Sequence, residues 1–141
     1  MNNKITKPTT TGDIKHLWHI IDAKDTILGR VSSEIAQLLM GKSKPYFVKN
    51  LNCGDHVVVI NAKYVKVGGK KPREKVYYRH SGYPGGQRAE TFEKLQQRKP
   101  EDIIIHGVKG MLPQNKLRAD FLKMLHVFAE ENHEYKEKFK S

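Results

Sequence analysis

The sequence contains a single cysteine, Cys53, among 141 residues. One cysteine cannot form an internal disulfide, and this usage is typical of a reducing compartment. It also excludes a zinc site built from cysteines, although seven histidines leave other metals formally open. No apolar run approaches the roughly 18 residues of a membrane helix, and residues 1–13 lack the apolar core of a signal peptide. We therefore expect an intracellular protein with no membrane partner.

Acidic residues are scarce in the middle of the chain. The whole chain carries 26 Lys and Arg against 15 Asp and Glu, a net charge of +11. Between Lys42 and Arg88, eleven cations face only two acids, Asp55 and Glu74, so nearly all of the excess lies in this stretch. We call residues 42–88 the basic segment. Such an uneven distribution is typical of a surface that binds nucleic acid or an anionic membrane.

Motifs of catalysis are also missing. Residues 68–71 (GGKK) lack the spacing and the hydroxyl of a phosphate-binding loop, and residues 82–86 are not a dinucleotide-binding fingerprint. The histidines include no i, i+4 pair flanking a glutamate, as a zinc protease helix would have. We interpret Asp22 and Asp55 as strand-end and turn residues, and Cys53 as a small buried side chain. We therefore predict no catalytic residue, no metal site and no cofactor.

Strand-like and helix-like stretches alternate along the chain. Strands are expected at residues 17–22, 56–61, 75–79 and 125–128, and the four consecutive β-branched residues that begin at Val57 indicate burial on both faces. Apolar residues at helical spacing predict helices between these strands. The first helix is capped by Asp25 and Thr26 and ends at Gly41, and later helices fall within residues 91–99, 100–113 and 117–125.

This alternation predicts an α/β fold with a mainly parallel sheet and helices on both faces. We expect one domain over residues 16–129. A loose N-terminal tail, residues 1–15, precedes it, and a charged C-terminal tail, residues 130–141, follows it.

Within the basic segment, residues 65–88 (VKVGGKKPREKVYYRHSGYPGGQR) combine cations with tyrosines and glycines. Cations neutralise phosphates, tyrosine rings offer faces for stacking, and glycines let a backbone approach RNA closely. The alternative interpretation is a solvated, flexible hairpin whose lysines only confer solubility.

Four motifs in order resemble the L-thirteen family of large-subunit ribosomal proteins: residues 26–30 (TILGR), 54–62 (GDHVVVINA), 75–82 (KVYYRHSG) and 108–113 (VKGMLP). The resemblance spans residues 17–128 and is closest to the bacterial or organellar branch. It implies a three-layer α/β/α domain with a parallel four-stranded sheet and no catalytic activity. It also implies a protein of the cytoplasmic or an organellar ribosome that binds and organises large-subunit rRNA early in assembly, beside other large-subunit proteins. We do not expect it to form homo-oligomers.

The predicted RNA contacts come from the basic segment and from the region after residue 108. Lys109 and Lys116 flank the helix break there, whereas Met111 and Leu112 are interpreted as core residues. Arg118 stands where the family usually has a small residue. The full predicted set is Lys42, Lys44, Lys49, Lys70, Lys71, Arg73, Lys75, Tyr77, Tyr78, Arg79, His80, Ser81, Gly82, Arg88, Lys109, Gly110, Lys116 and Arg118.

A second hypothesis belongs to another class of function. A small α/β enzyme could bind a phosphorylated substrate at Arg79, His80 and the glycine-rich turn, because parallel α/β sheets often hold ligands beyond their strand ends. The absence of a carboxylate or nucleophile near Arg79 in the sequence argues against this alternative.

Overall fold

The computed structural model describes residues 7–139. In these residues strands and helices alternate, and the α/β class predicted from the sequence is confirmed. In chain order the elements are β1 (Trp18–Asp22), α1 (Leu28–Met40), β2 (His56–Ile60), α2 (Lys71–Glu74), β3 (Val76–His80), β4 (Gln87–Thr91), α3 (Phe92–Arg98), α4 (Pro100–Met111), α5 (Arg118–Lys123) and β5 (Leu125–Val127). Short 3₁₀ turns lie at Thr11–Asp13, Ala62–Tyr64 and Glu134–Phe139.

The central sheet is parallel, with β2 between β1 and β5. Trp18 is paired with His56 across the first ladder, and Val57 with Leu125 across the second. Val57, Val58 and Val59 are all fully buried, so the predicted burial of β2 on both faces is confirmed. Such burial is typical of a central strand in a parallel sheet.

The prediction of four parallel strands is wrong for the described residues, in which the parallel sheet has three. β3 pairs instead with β4 in an antiparallel hairpin, with Tyr78 opposite Ala89. A parallel neighbour requires a crossover of a dozen or more residues, whereas residues 81–86 turn the chain directly back. Gly82 (φ 88°) and Gly85 (φ 72°) supply the left-handed conformations of this turn.

One face of the sheet forms the core together with α1 and α4. Val57, Val59 and Leu125 from the sheet join the buried stripe of α1 and the apolar side of α4. Helices α1 and α4 pack tightly at Gly107, where a Cβ atom would lie only 2.6 Å from Ser32 Oγ. This close approach depends on the absence of a side chain at residue 107.

The opposite face of the sheet is covered by aromatic rings at Trp18. Its indole stacks on His56, with ring centroids 4.3 Å apart, and His126 extends the stack on the neighbouring strand. Tyr135 and Phe139, from the 3₁₀ turn Glu134–Phe139, lie against these rings. At Trp18 the cover is therefore this C-terminal turn, and not the second helical layer that the resemblance implied.

The start of α1 also differs from the prediction. Neither Asp25 nor Thr26 caps the helix, whose N-cap residue is Ile27. The Thr26 hydroxyl donates to the Ala23 carbonyl oxygen, and Asp25 forms an ion pair with Lys66. The predicted end is confirmed, because Gly41 terminates α1 in the left-handed conformation (φ 71°).

Candidate nucleic-acid interface

The β3–β4 hairpin presents cations and aromatic rings to solvent. Arg79 and Arg88 lie directly opposite each other in the ladder. Like charges in this position destabilise a hairpin unless an anion compensates them. Arg79 Nη2 donates to Asp102 Oδ2 at 2.9 Å, whereas Arg88 has no acidic partner among residues 7–139. Tyr78 is 65% exposed, so its ring is free for stacking.

The turn of the hairpin is built by local hydrogen bonds. The Gly82 N–H donates to His80 Nδ1 at 2.9 Å, so a neutral His80 ring carries its proton on the exposed Nε2. The Gly86 N–H donates to the Tyr83 carbonyl oxygen at 2.9 Å. Tyr83, which the prediction did not include, is 78% exposed at the tip. The turn therefore offers a hydrogen-bond donor and a second ring, as RNA recognition requires.

A second group of cations lies on and beside α2. Lys70, Lys71 and Arg73 are exposed around this short helix, which follows Gly69 (φ 65°). Lys75, at the end of the same turn, is half-buried with its Nζ 5.1 Å from the centroid of the Tyr77 ring.

Ion pairing divides the cations of the basic segment into two groups. Three have acidic partners: Lys44 with Asp55, Lys66 with Asp25 and Arg79 with Asp102. The other eight have no such partner within the described part of the chain: Lys42, Lys49, Lys63, Lys70, Lys71, Arg73, Lys75 and Arg88. These eight charges are available to a polyanion without breaking an ion pair.

Lys44 is placed in the interior, in contrast to the prediction. Its side chain is 10% exposed and its Nζ donates to Asp55, whose carboxylate also accepts from the Leu17 N–H and from His19. Burial acts to raise the pKa of Asp55, but these three hydrogen bonds outweigh it and hold the pKa below its usual value. Asp55 therefore ties three segments together, beyond the turn role expected for it.

Tyr77 and Arg118 also differ from their predicted roles. Tyr77 is 8% exposed and packs edge-on against His106, so its ring belongs to the core, where burial raises the pKa of its hydroxyl. Arg118 Nη2 donates to the Lys109 carbonyl oxygen at 2.6 Å. Its guanidinium thus satisfies the C-terminus of α4.

The remaining predicted residues lie on the surface. Lys109, Gly110 and Lys116 are exposed around the end of α4. Leu112 is buried, as expected of a core residue, but Met111 is 44% exposed. The other exposed members of the predicted set are Lys42, Lys49, Ser81 and Gly82.

Two findings bear on other classes of site. Residues 7–139 contain no group of three His, Cys, Asp or Glu side chains placed to hold a metal ion. None of the helices described is long and apolar enough to cross a membrane.

The fold and this surface define a basic α/β protein that presents unpaired cations, exposed tyrosines and glycine turns to a polyanion. Residues 16–134 match the family described as Ribosomal protein L13. Curated relatives named large ribosomal subunit protein uL13 support the match. One from Dehalococcoides mccartyi (strain ATCC BAA-2266 / KCTC 15142 / 195) is 54% identical over 86% of this chain and 85% of its own. Another, from Rippkaea orientalis, is 50% identical over 94% of this chain and 87% of its own.

The chain belongs to the ribosomal protein L13 family. The resemblance found in its sequence motifs is thereby confirmed, and a structural role in the ribosome replaces the alternative of a small enzyme acting on a phosphorylated substrate.

Proposed function

We propose that this protein is a constituent of the large ribosomal subunit and that it binds and organises large-subunit rRNA through its basic segment. The observation that carries the proposal is the set of eight cations without acidic partners among the described residues. Neutralising phosphates with such cations releases counterions and holds neighbouring RNA segments together. The exposed hairpin, which belongs to the same segment, adds ring faces and a close backbone approach.

The contact surface we propose omits Lys44 and Tyr77, which lie in the interior, and assigns Arg118 a structural role. It adds Tyr83 because its ring is the most exposed of the hairpin. We further propose that the protein joins the subunit early, binding rRNA before its protein neighbours. We place it on the cytoplasmic ribosome of a bacterium, as a monomer until it binds.

Binding to protein-free large-subunit rRNA, compared with unrelated RNA of equal length across a salt series, tests this function. Each phosphate contact contributes about −0.7 to −0.9 to the slope of log K against log salt. Six to eight contacts would give a slope of about −4 to −7. Equal, weak binding to both RNAs would contradict the proposal.

A charge-matched pair of variants locates the surface. The first variant replaces four cations of the basic segment by alanine: Lys70, Lys71, Arg73 and Arg79. We expect its salt slope to be shallower by about 3, since four contacts are removed. The control removes four exposed lysines from outside the segment: Lys7, Lys24, Lys94 and Lys123. If both variants change the slope equally, the protein acts as a diffuse cation and the surface is wrongly placed.

A further inference from the structure

A cavity of about 220 Å³ lies where the start of α1, the chain before α2 and helix α4 meet. Apolar side chains form several of its walls. Two lysines also line the cavity, and no acidic residue does. Three glycines contribute bare backbone. The lining residues are Ile27, Leu28, Gly29, Ser32, Val67, Gly68, Lys71, Lys75, Gly107 and Met111.

Ser32 makes this cavity unusual. The residue is fully buried, yet its Oγ has no hydrogen-bond partner in the described structure. A buried polar group without a partner is destabilising by about 1–3 kcal/mol, so most such groups are satisfied. The hydroxyl lies beside Gly107, where even a methyl group would come within 2.6 Å of Oγ. Ser32 and Gly107 both line the cavity, so the unsatisfied hydroxyl lies in its wall.

The chemistry of the walls suits one kind of ligand. Leu28, Val67 and Met111 form apolar surfaces that suit a flat ring, and a serine hydroxyl can both donate to and accept from the polar edge of that ring. Lys71 and Lys75 supply positive charge for an anionic group attached to it. A bare phosphate would leave the apolar walls unused, and a paired base keeps its edge inside the duplex.

We propose that this cavity receives one unstacked nucleotide of the bound RNA, with the edge of its base hydrogen-bonded to Ser32 and its phosphate at Lys71 and Lys75. The inference rests on the proposed rRNA binding and adds a recognition mode to it, because RNA is read most specifically where bases are splayed out of the helix. A free nucleotide has the same chemistry, so the experiments separate the two sources.

The first experiment replaces Ser32 by alanine. Ser33→Ala is the matched control, since Ser33 follows it on the same helix but is exposed and does not line the cavity. We expect Ser32→Ala to weaken rRNA binding about tenfold, whereas Ser33→Ala leaves it unchanged. Thermal unfolding should show Ser32→Ala to be no less stable than the wild type, because the hydroxyl it removes has no partner in the free protein.

A second pair of variants changes the space instead of the hydroxyl. Gly107→Ala places a methyl group in the close contact with Ser32 and narrows the cavity, whereas Gly12→Ala, outside the proposed contact surface, meets nothing within 4 Å. We expect only Gly107→Ala to weaken rRNA binding. If Gly107→Ala fails to fold, the serine pair still decides the question.

The nucleotide can be identified directly by photochemistry. Large-subunit rRNA carrying 4-thiouridine, irradiated with the wild-type protein, should cross-link to the peptide containing residues 27–32, a part of the cavity wall that lies outside the basic segment. The Ser32→Ala variant should lose these cross-links and keep those at the hairpin. Wild-type protein that binds rRNA, with equal affinity for Ser32→Ala and no cross-link at these residues, would overturn the inference and leave the proposed function standing.

Uridine 5′-monophosphate tests the second source. If the wild type binds this mononucleotide but not rRNA, the cavity is a free-nucleotide site, and both the RNA inference and the proposed function are overturned. If the wild type binds rRNA and Ser32→Ala weakens that binding, the ligand is a nucleotide of the RNA.

Discussion

Replacing Asp55 by asparagine preserves the shape of a buried side chain and removes its charge. Asp55 is 3% exposed, and the substitution would leave the ammonium of Lys44, itself 10% exposed, without a counter-ion. Breaking a buried ion pair by removing one partner costs about 3–5 kcal/mol. Lys44 also donates to the Lys15 carbonyl oxygen at 2.6 Å, and the new amide oxygen can still accept a hydrogen bond. We therefore expect Asp55→Asn to lower the free energy of unfolding by about 3 kcal/mol, near the lower end of this range.

Urea denaturation followed by circular dichroism would measure this loss, and thermal unfolding should show a melting temperature lower by about 10 °C. Asp120→Asn is the control, because Asp120 forms only a surface ion pair with Lys123 and should change stability by no more than about 0.5 kcal/mol. Adding Lys44→Met to the wild type and to Asp55→Asn completes a double-mutant cycle. The stability lost by the double variant should be clearly smaller than the sum of the losses of the two single variants.

A loss below about 1 kcal/mol for Asp55→Asn, or additive losses in the cycle, would show that this ion pair does not stabilise the fold. The pH dependence gives a second check. Because the pKa of Asp55 is lowered in the folded protein, its contribution is complete above the usual pKa near 3.8 and is lost as the pH falls through the folded value. The asparagine variant should lack this part of the acid sensitivity.

Two further predictions concern the sheet and a tight backbone contact. Burial lowers the pKa of His56 and of His126, so the unfolded chain binds protons more readily than the fold does, and the contribution of these rings to stability should be complete above about pH 6.5 and decline below it. Urea denaturation followed by the fluorescence of Trp18, the single tryptophan, which stacks on both rings, should give a smaller free energy of unfolding at about pH 5.5 than at about pH 7.5, and equal values would contradict this. Gly54→Ala should lower the free energy of unfolding in urea by more than about 3 kcal/mol, because its Cβ would lie 1.8 Å from a backbone carbonyl oxygen of α1. Gly12→Ala, in open space, should leave stability unchanged, and equal stability of the two variants would contradict this steric explanation.

Local patterns in the sequence predicted the elements in which apolar residues recur at a regular spacing or form an uninterrupted run. The valines of β2 and the apolar stripe of α1, closed by Gly41, are examples. Cys53 is fully buried, as predicted. In each case the signal is contained in a few neighbouring residues, so no knowledge of distant contacts is needed.

The partners of β3 could not be predicted in this way. Its β-branched and aromatic residues indicate a strand but not the sheet to which that strand belongs. Residues 87–91 (QRAET) contain one β-branched residue and no apolar alternation, yet they form β4 because the turn at residues 81–86 brings them beside β3. Pairing across a hairpin is decided by turn geometry and by packing, which override weak strand propensity.

The same limit applies to the charged residues of the basic segment. The concentration of cations is visible in the sequence, but whether each charge is free depends on residues far along the chain. Lys44 and its partner Asp55 are eleven positions apart, and that carboxylate also binds residues 17 and 19. Tyr77 and Tyr78 are adjacent, and the alternation of a strand buries the first ring and exposes the second.

The order of the parallel sheet has a consequence for when the protein can fold. The central strand β2 needs β5 on one side, and the aromatic cover at Trp18 comes from residues 135 and 139, so both completing pieces follow the basic segment in the chain. During synthesis the cations of residues 42–88 therefore leave the translating ribosome before the sheet that supports them can close. RNA that meets the nascent chain would encounter this segment while its scaffold is still unfinished, so binding and the last step of folding can be completed together.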